Sequence, residues 1–88
     1  MKQATFNVLK YNSQREITLH QATEILFSNT GTSVCTVNNK EILPGKQLQI
    51  AKNLIIPKID FKIDFSSNNL VDNQLEVAFI HIIENNIC

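Results

Sequence analysis

The clearest pattern along the chain is the alternation KIDFKIDF, which runs from Lys58 to Phe65. Every second residue is Ile or Phe, and the residues between them are Lys or Asp. Because successive side chains of a β-strand point to opposite faces, a period of two predicts a strand with one buried face and one solvated face.

Two other segments are apolar on both faces. LEVAFIHII, from Leu75 to Ile83, has apolar residues at nearly every position, which is typical of a strand in the centre of a sheet or covered on both sides. ATFNVLKY, which starts at Ala4, has two apolar residues on each face, Phe6 and Val8 on one and Leu9 and Tyr11 on the other. The pattern predicts a strand in both segments.

The segment from Thr18 to Phe27 fits two interpretations. REITL and EILFS have the composition of short strands separated by the polar HQAT. Leu19, Ala22 and Ile25 also recur at a spacing that would line one side of a helix. The pattern favours strand over helix, and both remain open at this stage.

Two turns are predicted from local chemistry. Val37 to Lys40 contains Asn-Asn, which tolerates the positive φ that a two-residue type I′ hairpin turn needs. Leu43 to Lys46 contains Pro-Gly, the central pair of a type II turn. These turns predict a meander of three short strands, Ser33 to Val37, Lys40 to Leu43 and Gln47 to Lys52.

Together the segments predict about six to eight short strands with a turn signal every 8–12 residues or so, the spacing of a small sandwich or barrel. The 88 residues are long enough for one small core. We therefore expect a single all-β domain over residues 1–88, an antiparallel β-sandwich or barrel with at most one short helix.

Composition and charge exclude several classes. Hydrophobic residues make up 43% of the chain and charged residues 18%, which is typical of a globular domain and offers no membrane span. Eight basic and eight acidic residues cancel without a basic stripe, so nucleic-acid binding is not expected. The N-terminal residues do not resemble a signal peptide, and Cys35 and Cys88 are too few for a disulfide framework. We expect a reducing cytoplasm or a particle assembled there, with the role of Cys88 open.

Candidate chemistry is sparse. His81 and Cys35 each lie within an apolar strand segment, where a structural role is expected, and His20 lies in a polar stretch. Asp60 and Asp64 are four residues apart on a strand, roughly 13 Å, which exceeds the separation of a paired acid and base. We expect no catalytic residues, no cofactor and no metal, and therefore a protein that is not an enzyme.

Three isoleucines lie where a short chain usually has polar loop or tail, namely Ile55, Ile56 and Ile87. They could cap the ends of the core or be buried against a neighbouring subunit. The candidate interface consists of these isoleucines and the charged face beside them, which comprises Lys58, Asp60, Lys62 and Asp64.

The segment from Asn29 to Ile50, with NTGTS, VNN and LPGKQLQI in order, resembles a strand, hairpin and turn segment of small all-β structural and accessory proteins of bacteriophage particles. It covers about a quarter of the chain and departs from that pattern at Asn39, where Gly is commoner. The resemblance implies a virion component such as a decoration, vertex or connector subunit, found in the virion or in the host cytoplasm before assembly.

The predicted function is a non-enzymatic structural or assembly protein that self-associates or docks on a larger particle. A core of this size supplies only about 3–5 kcal/mol of stability, so oligomerisation is a common way to add to it. The expected partners are protein subunits, in a homo-oligomer or a viral particle. The alternative is a small β-sandwich binding or adhesion module for protein or carbohydrate.

Overall fold

The structure is a computed structural model that describes residues 2–84. These residues form seven strands and no helix. The strands are β1 (Lys2–Tyr11), β2 (Arg15–Asn29), β3 (Cys35–Val37), β4 (Lys40–Ile42), β5 (Gln47–Ile50), β6 (Ile56–Phe65) and β7 (Leu75–Glu84). All pairings are antiparallel, so the predicted all-β class is confirmed and the segment from Thr18 to Phe27 is strand.

One sheet contains all seven strands in the order β1-β7-β2-β6-β3-β4, with β5 paired to β2 outside this path. The first part of β2 pairs with β6, and its second part pairs with β7 and β5. β2 is therefore shared by two halves of the sheet. We call them the β1–β7 half, which also contains β5, and the β6–β3 half, which also contains β4.

β2 bends where the polar HQAT interrupts its apolar pattern. Gln21 and Glu24 adopt positive φ angles of 46° and 50°, and the register with β7 shifts between Thr23 and Leu26. Such irregularities bend a strand and allow it to pass from one side of a sandwich to the other. The two short strands predicted from the sequence are thus one strand with a bend between them.

The core lies between the two halves, which face each other. The rings of Phe27 in β2 and Phe61 in β6 meet edge to face with centroids 4.8 Å apart. Among residues 2–84, twelve hydrophobic residues are buried, namely Leu19, Ala22, Ile25, Phe27, Cys35, Val37, Ile42, Phe61, Ile63, Leu75, Val77 and Phe79. β7 lies between β1 and β2, as its apolar composition predicts.

Both predicted turns form. Asn38 and Asn39 have φ angles of 50° and 68°, the positive values that a type I′ turn requires at both central positions. Gly45 has a φ of 79°, and the Lys46 N–H donates to the Leu43 carbonyl across the turn at 2.9 Å. Both turns therefore form where Asn or Gly can adopt the positive φ that the turn requires.

The predicted three-stranded meander is wrong in its third strand, because β5 pairs with β2 and not with β4. Asn29, at the end of β2, bonds to both sides of the Pro-Gly turn. Its Nδ2 donates to the Ile42 carbonyl at 2.8 Å, and its backbone carbonyl accepts the Gly45 N–H at 2.9 Å. The Pro-Gly turn is thereby held beside the end of β2, and the chain leaves it along β2.

Candidate docking face

The two halves of the sheet present outer faces of opposite character. On the β6–β3 half, the outer face carries the predicted charged residues of β6, of which Lys58, Asp60 and Lys62 are exposed and Asp64 is half-buried. Ile59, Phe61, Ile63 and Phe65 point inwards to the core. The face is solvated, as the alternation predicts.

Cross-strand neighbours on this polar face are complementary. Glu16 lies opposite Lys62, and Thr18 lies opposite Asp60 and donates its hydroxyl to the Asp60 carboxylate at 2.6 Å. Such pairs stabilise a sheet modestly and keep its surface wet. Asp60 is therefore hydrogen-bonded within the chain, and Lys62 lies opposite a residue of opposite charge.

Of the three predicted interface isoleucines, Ile55 and Ile56 lie in the part of the chain that the structure describes. Ile55 lies in the loop between β5 and β6 and is 40% exposed, while Ile56 begins β6 and is half-buried opposite Ala22. Glu24 holds this loop, because its carboxylate accepts the Asn53 N–H at 2.7 Å. Ile87 and Cys88 lie outside the described residues.

Across β1 and β7 the outer face is apolar, and sequence reasoning did not identify it as a candidate site. The face becomes polar towards β5, since Thr23 lies opposite Ile80 and Gln49 lies opposite Leu26. We call it the apolar face, defined by Ala4, Phe6 and Val8 of β1, Ala78, Ile80 and Ile82 of β7, and Leu26 of β2. The register places these residues in adjacent rows, with Phe6 opposite Ile80 and Val8 opposite Ala78. Phe6 is 71% exposed and Val8 is 46% exposed, so the face is open to solvent at β1.

A charged row ends the apolar face on one side. Lys10 follows Val8 on the same face of β1, and its Nζ lies 3.6 Å from the Glu76 carboxylate of β7. Ser28 continues this row on β2. Exposed apolar patches rimmed by polar residues mark sites of interaction with proteins, membranes or ligands.

The free edge of β1 borders the apolar face. Among residues 2–84, β1, β4 and β5 each pair with one strand only. β4 and β5 contain three and four residues, whereas β1 contains ten in an unbroken register with β7. No charged residue or proline occurs from Gln3 to Leu9. β1 therefore lacks the features that usually protect an edge strand from pairing with another chain.

The candidate chemical residues serve the fold. The Cys35 side chain is buried, which raises the pKa of its thiol, and its Sγ contacts the Ile42 carbonyl at 3.9 Å. The His81 Nδ1 donates to the His20 carbonyl at 2.8 Å, at the bend of β2. Each side chain thus bonds to a backbone carbonyl and not to the other, so the structure shows no Cys-His pair between them.

The Asn- and Asp-rich loop between β6 and β7 also uses its own polar groups. The Asp72 carboxylate accepts hydrogen bonds from the hydroxyl groups of Thr32 at 3.2 Å and Ser67 at 3.4 Å. Within residues 2–84, no three His, Cys, Asp or Glu side chains come together as a metal site would require.

A shallow groove of about 410 Å³ lies beside Tyr11 at the polar end of β1. Lys10, Asn12, Thr30, Gln74 and Glu76 contribute to its lining. The guanidinium of Arg15 lies over the Tyr11 ring at 5.4 Å from the centroid, so one face of this ring is already occupied.

No protein-family model matches the chain, and neither a curated protein nor a solved structure shows significant similarity to it. Residues 2–84 contain no helix of the length and apolar character that crossing a membrane requires.

Proposed function

We propose that this protein is a non-enzymatic structural or assembly component that docks its apolar face against protein subunits. The observation that carries the proposal is the contrast between the two outer faces of one small sheet. The face of the β6–β3 half is charged, whereas the face of the β1–β7 half exposes Phe6 and Val8 beside Ile80.

The strength of this docking can be bounded. Fully burying a Phe or Val side chain is worth about 1.5–3 kcal/mol. Because Phe6 is 71% exposed and Val8 is 46% exposed, covering both would yield about 2–3 kcal/mol. Association costs at least about 4 kcal/mol in lost freedom. The exposed parts of these two side chains therefore do not hold a single copy by themselves, and retention requires several linked contacts that form at once.

This estimate favours a role in a repeated assembly over a role as a free binding module. In a particle, neighbouring subunits hold the chain at high effective concentration, and a modest apolar contact suffices. We extend the proposal to a small bacteriophage virion component on the basis of the segment from Asn29 to Ile50. The two turns that carry this resemblance adopt the conformations expected of them, with Asn39 at a φ of 68° in the position where Gly is commoner.

A carbohydrate-binding module is the second candidate, and the groove beside Tyr11 is the feature that would favour it. Sugar recognition commonly combines polar side chains with an open aromatic ring. Tyr11 is half-buried and has Arg15 over its ring, so it offers little surface for stacking. The apolar face remains the better supported site.

Retention on particles tests the proposed function. Purified phage particles from cells that carry the gene should contain the chain after washing, measured by quantitative mass spectrometry. A variant with Phe6→Ser and Val8→Ser should be lost from the particles while keeping its strand content by circular dichroism. Val71→Ser is the matched control, because Val71 is 78% exposed in the β6–β7 loop. Absence of the native chain from particles, or undiminished retention of the double variant, would contradict the proposal.

A further inference from the structure

We propose that the free edge of β1 pairs antiparallel with β1 of a second copy of this chain, about a two-fold axis that passes beside Phe6. The inference deepens the proposed assembly function, since it names one partner and the strand that binds it. It rests on the open backbone of β1 and on the self-complementary order of its side chains.

The open edge is long relative to the molecule. Ten residues of β1 extend over about 34 Å, in a molecule whose longest dimension is 51 Å. The outward N–H and C=O groups of an edge strand form a template for another strand. Thr5 and Asn7 are the polar side chains at the middle of this edge, and neither carries a charge that would repel a second copy.

The side-chain order of β1 matches itself when the strand is reversed about Phe6. Phe6 then lies opposite its own counterpart, and Ala4 lies opposite Val8 of the other copy, all on the apolar face. Aromatic and β-branched neighbours of this kind stabilise antiparallel strands. At each end of the paired segment Lys10 lies opposite Lys2, and the Glu76 carboxylate, 3.6 Å from the Lys10 Nζ, offsets that repulsion.

Pairing through this edge is expected to stop at a dimer rather than add further copies to a growing sheet. A two-fold contact uses the same edge on both copies, so pairing through β1 closes at a dimer. The other strands with one partner, β4 and β5, are three and four residues long, and two of the three residues in β4 are Lys40 and Glu41. These short edges give little support for a third copy.

The expected dimer is weak and depends on concentration. A paired strip about 34 Å long and roughly 10 Å across covers about 340 Å² on each copy, near 700 Å² in total. That area falls in the class of weak, reversible contacts, below about 1,200 Å². The dimer would align the two apolar faces side by side, so that a larger particle meets two docking faces on one unit.

Sedimentation velocity of the full chain between about 5 µM and 1 mM, with reductant to keep Cys88 reduced, tests this inference. The native chain should move from a mass of 10.0 kDa towards twice that value as concentration rises. Phe6→Lys and Phe6→Glu should each weaken the dimer by about two- to thirtyfold, because the aromatic pair is lost and like charges lie opposite each other at the axis. Both should keep their fold, since Phe6 is 71% exposed.

A mixture of the two charged variants tests directly whether Phe6 meets its own counterpart at the axis. An equimolar mixture of Phe6→Lys and Phe6→Glu should recover the dimer, because opposite charges then meet across the axis. Val71→Lys, the control at an apolar position of similar exposure in the β6–β7 loop, should dimerise like the native chain. Phe6→Ser should weaken the dimer without adding charge.

Three results would overturn the inference, namely a native chain that is monomeric at 1 mM, a Phe6→Lys variant that dimerises normally, or a mixture that stays monomeric. These failures are distinguishable from failure of the proposed function. A monomeric chain that is retained on particles through Phe6 and Val8 would leave docking intact and remove the β1 dimer. A chain that dimerises through β1 but is absent from particles would leave the β1 dimer intact and contradict the proposed docking.

Discussion

Replacing Asn29 by Ala should remove much of the stability of this domain. Asn29 is 2% exposed, and its Nδ2 donates to the carbonyls of Ser33 and Ile42, both at 2.8 Å. Its Oδ1 accepts the Gly31 N–H at 3.0 Å. One side chain thus joins the end of β2 to the loop before β3 and to the end of β4.

The cost follows from the groups that would lose a partner. A buried carbonyl left without its donor costs about 1–3 kcal/mol. Two carbonyls lose a donor here, namely that of Ser33, which is half-buried, and that of Ile42, which keeps the weak contact of the Cys35 Sγ at 3.9 Å. The Gly31 N–H keeps a partner, since it also donates to the Gln74 carbonyl at 3.1 Å, so it adds little. We expect a loss of about 2–4 kcal/mol, most of the roughly 3–5 kcal/mol that a core of this size supplies.

Urea denaturation followed by circular dichroism measures this loss. With a slope near 1 kcal/mol per molar, a loss of about 2 kcal/mol lowers the midpoint by roughly 2 M, and a larger loss unfolds the variant in buffer. Asn68→Ala, an exposed asparagine of the β6–β7 loop, is the control and should stay within about 0.5 kcal/mol of the native chain. An Asn29→Ala variant as stable as this control would refute the role assigned to the amide.

Three further predictions concern the same framework. Asn29→Asp should place a buried carboxyl group against two carbonyl oxygens, which raises the pKa of that carboxyl group. The variant should therefore be more stable at pH 4, where the group is protonated, than at pH 7. Equal urea midpoints at the two pH values would contradict this. Glu24→Ala should accelerate amide exchange at Asn53 by about fivefold, since it removes a bond worth about 1 kcal/mol, and an unchanged rate would show that the loop is held otherwise. Gly31→Ala should destabilise the fold more than Gly45→Ala in thermal unfolding. A Cβ at Gly31 would lie 2.3 Å from a carbonyl oxygen of the β6–β7 loop. A Cβ at Gly45 would meet no atom within 4 Å, so the only cost there is the positive φ that alanine disfavours. A Gly45→Ala variant less stable than Gly31→Ala would contradict this prediction.

Much of the fold could be predicted because its signals are local. The type I′ turn follows from Asn38 and Asn39, whose side chains tolerate positive φ, and the inward face of β6 follows from a period of two. The polar HQAT segment marks the position of the bend in β2, but the sequence does not show that one strand continues through it. Whether such a break ends a strand or bends it depends on partners far along the chain, here β6, β7 and β5.

The candidate site was only partly predictable for a similar reason. Phe6 and Val8 share one face of β1 while Leu9 and Tyr11 share the other, and either pair could face the core. The structure directs Leu9 and Tyr11 inwards, because they pair with Val77 and Leu75 of the buried face of β7. This choice depends on a pairing between residues more than 60 positions apart, which the local pattern does not contain.

Hydrogen exchange of the β1 backbone tests the central claim most directly, namely that this edge and the apolar face beside it are buried against protein. Exchange measured by mass spectrometry over the peptide covering residues 3–9 should slow as the chain is taken from about 5 µM to 1 mM. Residues 66–74 of the β6–β7 loop should exchange at the same rate throughout. Unchanged exchange in residues 3–9 over this range, both in solution and on purified particles, would contradict the account.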